Sequence, residues 1–282
     1  RQAIMSDLVE KKDLTNAIAL NTATFQATAV VGPALAGFLI PVIGVAACLY
    51  INAFSFVVVL WTLYAMQFPP QTRSAAKTSV TQNLAEGIAY LRTNPVALAL
   101  VILAFGPTFF GQPYINMLAV FARDVLDIGP RGLGFLMSSA SVGSVVGALV
   151  VASLGDFRRK GYFILGSLIA FGVFLSLFAL SPWPLVSAIL LVGVGGLFSA
   201  YSSANNTAVQ LMVPDQLRGR VMGIFLLNRS MTPLGTSLAG SLASLVGAPL
   251  TMAAMGGAVI ILGLSAAVKV PGLRRAGGDP LG

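Results

Sequence analysis

Histidine is absent from this chain, cysteine occurs once, and charged residues make up only 9% of it. Each shortage removes a class of function. Without histidine, the side chain that most often moves protons near neutral pH is missing. Cys48 has no second thiol with which to close an intrachain disulfide, and it lies inside an apolar run rather than in a ligand cluster. A zinc hydrolase and histidine-based acid-base catalysis are therefore poorly supported, and the chain is expected to be no enzyme, with no catalytic residue, no metal site and no cofactor. The phosphate-cradling sequence GxxxxGK[ST] is also missing, so ATP is not expected as the direct energy source. A soluble domain carries roughly 25% charged residues. With 56% hydrophobic residues against 9% charged ones, this chain has too little polar surface to stay dispersed in water.

The net charge is +8, with a pI near 10.1. Such a balance raises the question of nucleic acid, but that partner needs a basic face. Here the basic residues come in twos and threes between apolar segments, so nucleic acid is not expected as a partner.

Those apolar segments are the dominant feature. Eight of them, at residues 17–40, 45–66, 96–120, 132–154, 162–180, 185–209, 221–246 and 250–268, have the length that a helix needs to cross a hydrocarbon core about 30 Å thick. Breakers stand between them, among them Pro41 and Gly44, Gly129 and Pro130, Pro182 and Pro184, and Gly247 and Pro249. Lys and Arg fall in every second loop. Arg1, Lys11 and Lys12 precede the first span; Arg73, Lys77 and Arg92 follow the second; Arg158, Arg159 and Lys160 follow the fourth; Arg218 and Arg220 follow the sixth; Lys269, Arg274 and Arg275 follow the eighth. The opposite side holds only Arg123 and Arg131, near Asp124 and Asp127. The positive-inside rule makes the basic side cytoplasmic and puts both ends of the sequence there. The expected location is the plasma (inner) membrane, crossed several times, with the lipid bilayer as a partner. The chain opens on Arg1 without a signal-peptide pattern and reads as the C-terminal part of a longer protein.

One connection is long and polar. Residues 67–95 contain Val80, Leu84, Ile88 and Leu91 at helical spacing, which predicts an amphipathic helix along the cytoplasmic surface. It separates two spans from six.

Two helices, a long cytoplasmic linker and a six-helix block resemble the major facilitator superfamily, whose members join two six-helix halves in this way. The resemblance implies an all-α, polytopic membrane protein, a helical bundle holding family helices five to twelve. Residues 1–68 are then the last two helices of the N-terminal bundle, 69–94 the linker, 95–270 the C-terminal bundle and 271–282 a cytoplasmic tail. The motif Gly32-Pro33-Ala34-Leu35-Ala36-Gly37 in the first span is similar to the family's antiporter motif, found chiefly in exporters. Gly32, Pro33 and Gly37 would let helices approach closely and bend; an ordinary small-residue packing seam is the other reading. Asp156, Arg158 and Arg159, within Ala152-Ser153-Leu154-Gly155-Asp156-Phe157-Arg158-Arg159-Lys160-Gly161, resemble a degenerate copy of the family's cytoplasmic loop signature, with Ala152 and Phe157 off its pattern. They are candidates for a cytoplasmic gate closed by charge-assisted contacts, or they only anchor topology. The stretch Val213-Pro214-Asp215-Gln216-Leu217-Arg218-Gly219-Arg220-Val221, with Thr232-Pro233-Leu234-Gly235 after it, is similar to the subgroup that includes the enterobactin exporter and related secretion proteins. The opening from Leu8 to Asn21 resembles the same subgroup.

Alternating access needs two bundles that rock about a site near the midplane, with polar side chains facing a cavity because lipid penalises them. Gln26, Asn52, Gln112, Asn116, Tyr201, Asn205 and Arg229 are the polar candidates, and Phe109 beside Gly106-Pro107 and Pro113 is an apolar one. Aromatic residues there also serve simply to pack. Arg229 is the one charge well inside a span, where it costs about 2.5–3.5 kcal/mol unless it reaches water or a partner. It either faces the cavity and attracts a polar or anionic group, or snorkels to the interface. No Asp or Glu lies within the eight spans, so a proton-coupling carboxylate, if protons drive the transport, would belong to the helices that precede this sequence. The resulting expectation is a secondary active exporter of small amphiphilic, drug-like or siderophore-like molecules, with protons as the candidate coupling ion. An importer of a polar metabolite and a non-transporting membrane sensor on the same scaffold remain as alternatives.

Overall fold

The computed structural model describes residues 39, 43–44, 47–62, 64, 80–154 and 160–275. Nearly all of the span expected at 17–40, with Gln26, Gly32, Pro33 and Gly37, lies outside the described residues, as do Asp156, Arg158, Arg159 and the tail beyond 275. The chain divides into two compact units, Arg1–Lys77 and Thr78–Gly282.

In the first unit, helix α1 (Ala47–Thr62) is apolar and leaves Phe54, Phe56 and Trp61 exposed. Water penalises such a surface, whereas a lipid interior accepts it. Ser55 and Thr62 turn their hydroxyls onto the carbonyls of Asn52 and Val58, at 2.7 and 2.8 Å, so α1 satisfies these polar groups within itself.

The second unit begins with α2 (Val80–Thr93) and continues with α3 (Pro95–Phe110) and α4 (Tyr114–Val120), which runs into a π-helical turn at Phe121–Val125. Then come α5 (Gly129–Leu154), α6 (Lys160–Leu180), α7 (Pro184–Met212), α8 (Asp215–Leu226), a 3-10 turn (Leu227–Ser230), α9 (Met231–Val246), α10 (Ala248–Lys269) and α11 (Pro271–Arg275). No strand occurs among the described residues. Local chemistry sets several boundaries. Asn94 caps α3, its side-chain oxygen accepting from the Ala97 N–H at 3.0 Å, with Pro95 at the first helical position where its missing donor costs nothing. The span expected at 221–246 is a pair of helices instead, with α8 starting at Asp215 and a 3-10 turn between α8 and α9. Pro233 has no N–H to offer the Arg229 carbonyl and crowds it, which breaks the α-helical ladder at that point.

Five helical stretches among the described residues are long and apolar enough to cross a membrane: Pro95–Val125, Gly129–Val151, Lys160–Leu180, Pro184–Met212 and Ala248–Lys269. Helix α6 shows how they assemble. Ile164, Leu168, Phe171, Leu175 and Phe178 recur every three or four residues on one buried face, while Val173 and Leu177 point outward. The inner face packs on α7 and α10, and Phe171 and Phe178 meet the rings of Phe198 and Phe121 at 5.3 and 4.8 Å. Outward residues such as Ile189, Ile261 and Val268 are as apolar as the inner ones, the arrangement lipid requires.

Because lipid tails are as apolar as leucine, apolar burial gives little drive for helices to associate there, and close backbone approach matters more. Helices α5 and α7 meet along Gly143, Gly147 and Gly195: a Cβ on any of them would run into the carbonyl oxygen of Val192, Gly196 or Ala140 on the facing helix. Ser144 spans this seam, its hydroxyl shared between the carbonyls of Ala140 in its own helix and Gly195 across it, at 3.1 and 3.3 Å. Ser176 repeats the device between α6 and α10, shared between Gly172 and Ala253 at 3.0 and 3.2 Å. Replacing Gly143 by alanine is expected to cost ~1–3 kcal/mol, because the obstructing atoms are backbone and cannot turn aside. Gly166→Ala, where nothing lies within 4 Å, is expected to be neutral or slightly stabilising. Thermal unfolding of the two variants in the same detergent measures the difference.

Candidate functional site

Helix α3 is interrupted by Pro107 and ends at Phe110. The N–H groups of Gly111 and Gln112 both reach back to the Pro107 carbonyl, at 2.8 and 3.1 Å, and Pro113 then opens the way into α4. This bend places Phe109, Gln112 and Asn116 on successive parts of one irregular segment. Phe109 and Gln112 are half-buried and Asn116 is exposed. The Phe109 ring stands edge-on to Phe110 at 4.8 Å.

Helix α9 comes against the same segment. Gly235 abuts the Phe109 carbonyl so closely that a Cβ there would strike it, and one residue on, Thr236 accepts a hydrogen bond from the Asn116 amide at 3.1 Å. Neither is among the sequence-derived cavity candidates: Gly235 closes the Thr232-Pro233-Leu234-Gly235 stretch of the subgroup resemblance, and Thr236 offers only a hydroxyl within a span. The 3-10 turn preceding α9 also packs on α3, and it carries Arg229, whose side chain is exposed. Arg229 is the fifteenth residue of the stretch from Asp215 to Val246, about 20 Å from its start at helical rise. It lies nine residues on from Arg220, which is on the basic side of the unit, about 14 Å at helical rise. Phe109, Gln112, Asn116 and Arg229 thus belong to two neighbouring interrupted stretches.

Tyr201 and Asn205 occupy a different environment. They sit one turn apart on α7 and are 2% and 1% exposed. The Tyr201 hydroxyl donates to the carbonyl of Leu103, and the Asn205 amide donates to that of Leu100 at 3.1 Å. Both side chains are thereby engaged with the backbone of α3. Asn52, exposed on α1, belongs to the other unit.

At the end of the unit that carries Arg218 and Arg220, α2 docks on α8. Glu86 forms an ion pair with Arg220, the backbone of Arg220 and the side chain of Ile224 pack over Gly87, and the Tyr90 hydroxyl donates to the Met212 carbonyl at 3.3 Å. Leu91 is buried here, whereas Leu84 and Ile88 remain 42% and 38% exposed. The buried side of α2 is therefore centred on Gly87, Tyr90 and Leu91 and not on the stripe of Leu84 and Ile88. Arg218 caps the preceding turn by donating to the Gln210 carbonyl at 3.1 Å. Among the described residues no three of His, Cys, Asp and Glu come together.

The family model for transmembrane secretion effectors matches residues 1–277. The chain belongs to the transmembrane secretion effector family of the major facilitator superfamily. It is a polytopic, all-α membrane protein accordingly. Among similar proteins, the multidrug efflux pump Tap of Mycolicibacterium fortuitum is 28% identical over 267 residues, covering 93% of this chain and 64% of Tap. The enterobactin exporter EntS of Escherichia coli O1:K1 / APEC is 25% identical over 272 residues, covering 95% of this chain and 64% of EntS. EntS of Shigella boydii serotype 18 matches to the same extent. The chain thus spans 64% of the length of these relatives.

Within this family member, the ion pair between Glu86 and Arg220 holds a surface helix on the bundle. Both partners are partly exposed, so either Glu86→Gln or Arg220→Gln is expected to lower stability by only ~1 kcal/mol. The exchanged pair Glu86→Arg with Arg220→Glu is expected to recover most of that loss, as read by thermal unfolding of the full-length protein at low and high salt.

Proposed function

We propose that the full-length protein is a secondary active exporter that moves small amphiphilic, drug-like or siderophore-like molecules outward by alternating access, and that it is not an enzyme. The observation that carries this reading is the position of Arg229 on a break between two helices, midway along the stretch from Asp215 to Val246 and beside a second interrupted segment that holds Phe109, Gln112 and Asn116. Transporter sites are typically built near the bilayer midplane from such interrupted helices. An arginine so deep in a span needs water or a partner, and a solvated cavity supplies the first. The names of the relatives, a multidrug efflux pump and an enterobactin exporter, favour export over import.

In this reading Phe109, Gln112, Asn116 and Arg229 line the cavity on the side of the C-terminal bundle, with Tyr201 and Asn205 supporting them from behind, and Gln26 and Asn52 are the candidates of the N-terminal bundle. Residues 1–68 close the N-terminal bundle, 69–94 form the cytoplasmic linker, 95–270 form the C-terminal bundle and 271–282 a cytoplasmic tail. Gly32, Pro33 and Gly37 serve the conformational change, and Asp156, Arg158 and Arg159 close the cytoplasmic side. Both ends of the sequence face the cytoplasm at the inner membrane, by the distribution of Lys and Arg. The bilayer and a small-molecule substrate are the partners, with protons as the coupling ion.

Efflux of a panel of fluorescent amphiphiles from cells expressing the full-length protein tests this. Export that a protonophore abolishes is expected, with a loss of about tenfold in Arg229→Ala, the factor that ~1.4 kcal/mol represents. Gly32→Leu is expected to abolish export, and Arg229→Lys to retain part of it. Well-expressed protein that exports none of the panel but accumulates a polar metabolite contradicts the reading and favours an importer.

A further inference from the structure

In an α-helix each N–H bonds to the carbonyl four residues earlier, so Pro107 deletes the donor that Leu103 would have received. Leu103 is 1% exposed, and its carbonyl faces neither water nor a free helix end. The donor comes from another helix. Tyr201 on α7 gives its hydroxyl hydrogen to the Leu103 oxygen, replacing along the side of the helix the bond that proline removed from within it. Asn205, one turn along α7, makes the neighbouring bond to Leu100 at 3.1 Å, but its role differs: the helical donor for that carbonyl, Ala104, is not a proline. The bond from Tyr201 replaces a missing one, and that from Asn205 adds to a complete ladder.

What lies beyond Pro107 gives the replacement its significance. The following turn carries Phe109, Gln112 and Asn116, and Pro113 withholds a second donor, the one that would have faced the Phe109 carbonyl. Thr108 turns its hydroxyl back onto the Ala104 carbonyl at 2.8 Å, a contact that bends helices further. α3 nevertheless stays helical through Pro107 to Phe110 with one bond missing from its ladder, so the segment that follows is carried by the first half of α3 and by what holds that half from the side.

We propose that Tyr201 is a positioning residue for transport: its bond to the Leu103 carbonyl ties α7 to α3 at the proline, so that the segment carrying Phe109, Gln112 and Asn116 moves with α7. This rests on the exporter reading above. A residue that merely satisfied a buried carbonyl would be replaceable by any donor, whereas a tie between helices is replaceable only by one that spans them. Pro107→Ala makes the distinction, because the alanine N–H satisfies Leu103 from within α3 and joins nothing to α7.

The test compares Tyr201→Phe, Pro107→Ala and the double variant with the parent, all as full-length protein at matched expression. Efflux of a fluorescent amphiphile, thermal unfolding, and the rate at which a water-soluble maleimide labels Asn116→Cys, in a background from which Cys48 and any other cysteine of the full-length protein have been removed, are read for each. Tyr201→Phe is expected to lower the unfolding temperature, change the labelling rate severalfold and reduce efflux about tenfold, equivalent to ~1.4 kcal/mol. The double variant is expected to regain the unfolding temperature while efflux and labelling stay at the level of Tyr201→Phe. Full efflux in Tyr201→Phe overturns the proposal, and so does a double variant that regains efflux together with stability. Should the parent export none of the probes, the exporter reading fails and the labelling rates alone decide. A change in Tyr201→Phe that persists in the double variant upholds the tie, and a rate equal to the parent's overturns it.

Discussion

Backbone carbonyls in a lipid interior must find their donors within the protein, because no water is there to supply them. Proline removes such donors, and three irregular features among the described residues accompany that subtraction. Pro107 leaves Leu103 to be satisfied from α7, Pro113 accompanies the turn that separates α3 from α4, and Pro233 accompanies the 3-10 turn between α8 and α9. The irregular segments hold Phe109, Gln112, Asn116 and Arg229, so the breaks in the helices and the proposed site coincide. A helix with an unbroken ladder would present only side chains to a cavity; an interrupted one also changes direction there and places Arg229 at a break.

The rest of the second unit answers the complementary problem of holding helices together in a medium that does not drive them together. Close approach at Gly143, Gly147, Gly195 and Gly235 brings backbone against backbone, and Ser144 and Ser176 share their hydroxyls across two seams. These contacts tolerate almost no added volume. Outside them, the chain exposes leucine, isoleucine and valine freely, a surface stable only when lipid covers it.

The spans were legible because transfer to hydrocarbon is a property of composition: the runs at 132–154, 162–180, 185–209 and 250–268 each fall on an observed helix, and that at 96–120 falls on the stretch Pro95–Val125, which holds α3 and α4. At Asn94-Pro95 and Trp183-Pro184 the cap and its proline start the helix one residue before the apolar run. The interruption at Arg229 was readable in principle from Pro233, whose missing donor points four residues back, yet an apolar run reads as continuous through it. Partnership was less legible. Polar residues within a span suggest a cavity; Asn116 and Arg229 are exposed, whereas Tyr201 and Asn205, which carry the same signal, bond to carbonyls of α3. Pro107 announces an orphaned carbonyl at Leu103, but nothing local to it identifies a donor 98 residues away. The spacing of Val80, Leu84, Ile88 and Leu91 announces an amphipathic helix, but not that α2 meets α8 at Gly87, where a Cβ would strike the Ile224 side chain.

The central claim is that the full-length protein moves a small molecule across a membrane through a polar path between interrupted helices. Its most direct test is flux by the purified full-length protein in liposomes, with a fluorescent amphiphile on one side and an imposed proton gradient across the bilayer. The account predicts gradient-dependent flux above that of protein-free liposomes, lowered about tenfold in Arg229→Ala protein that is folded and equally incorporated. Flux no greater than in protein-free liposomes, from protein shown to be folded, would contradict it.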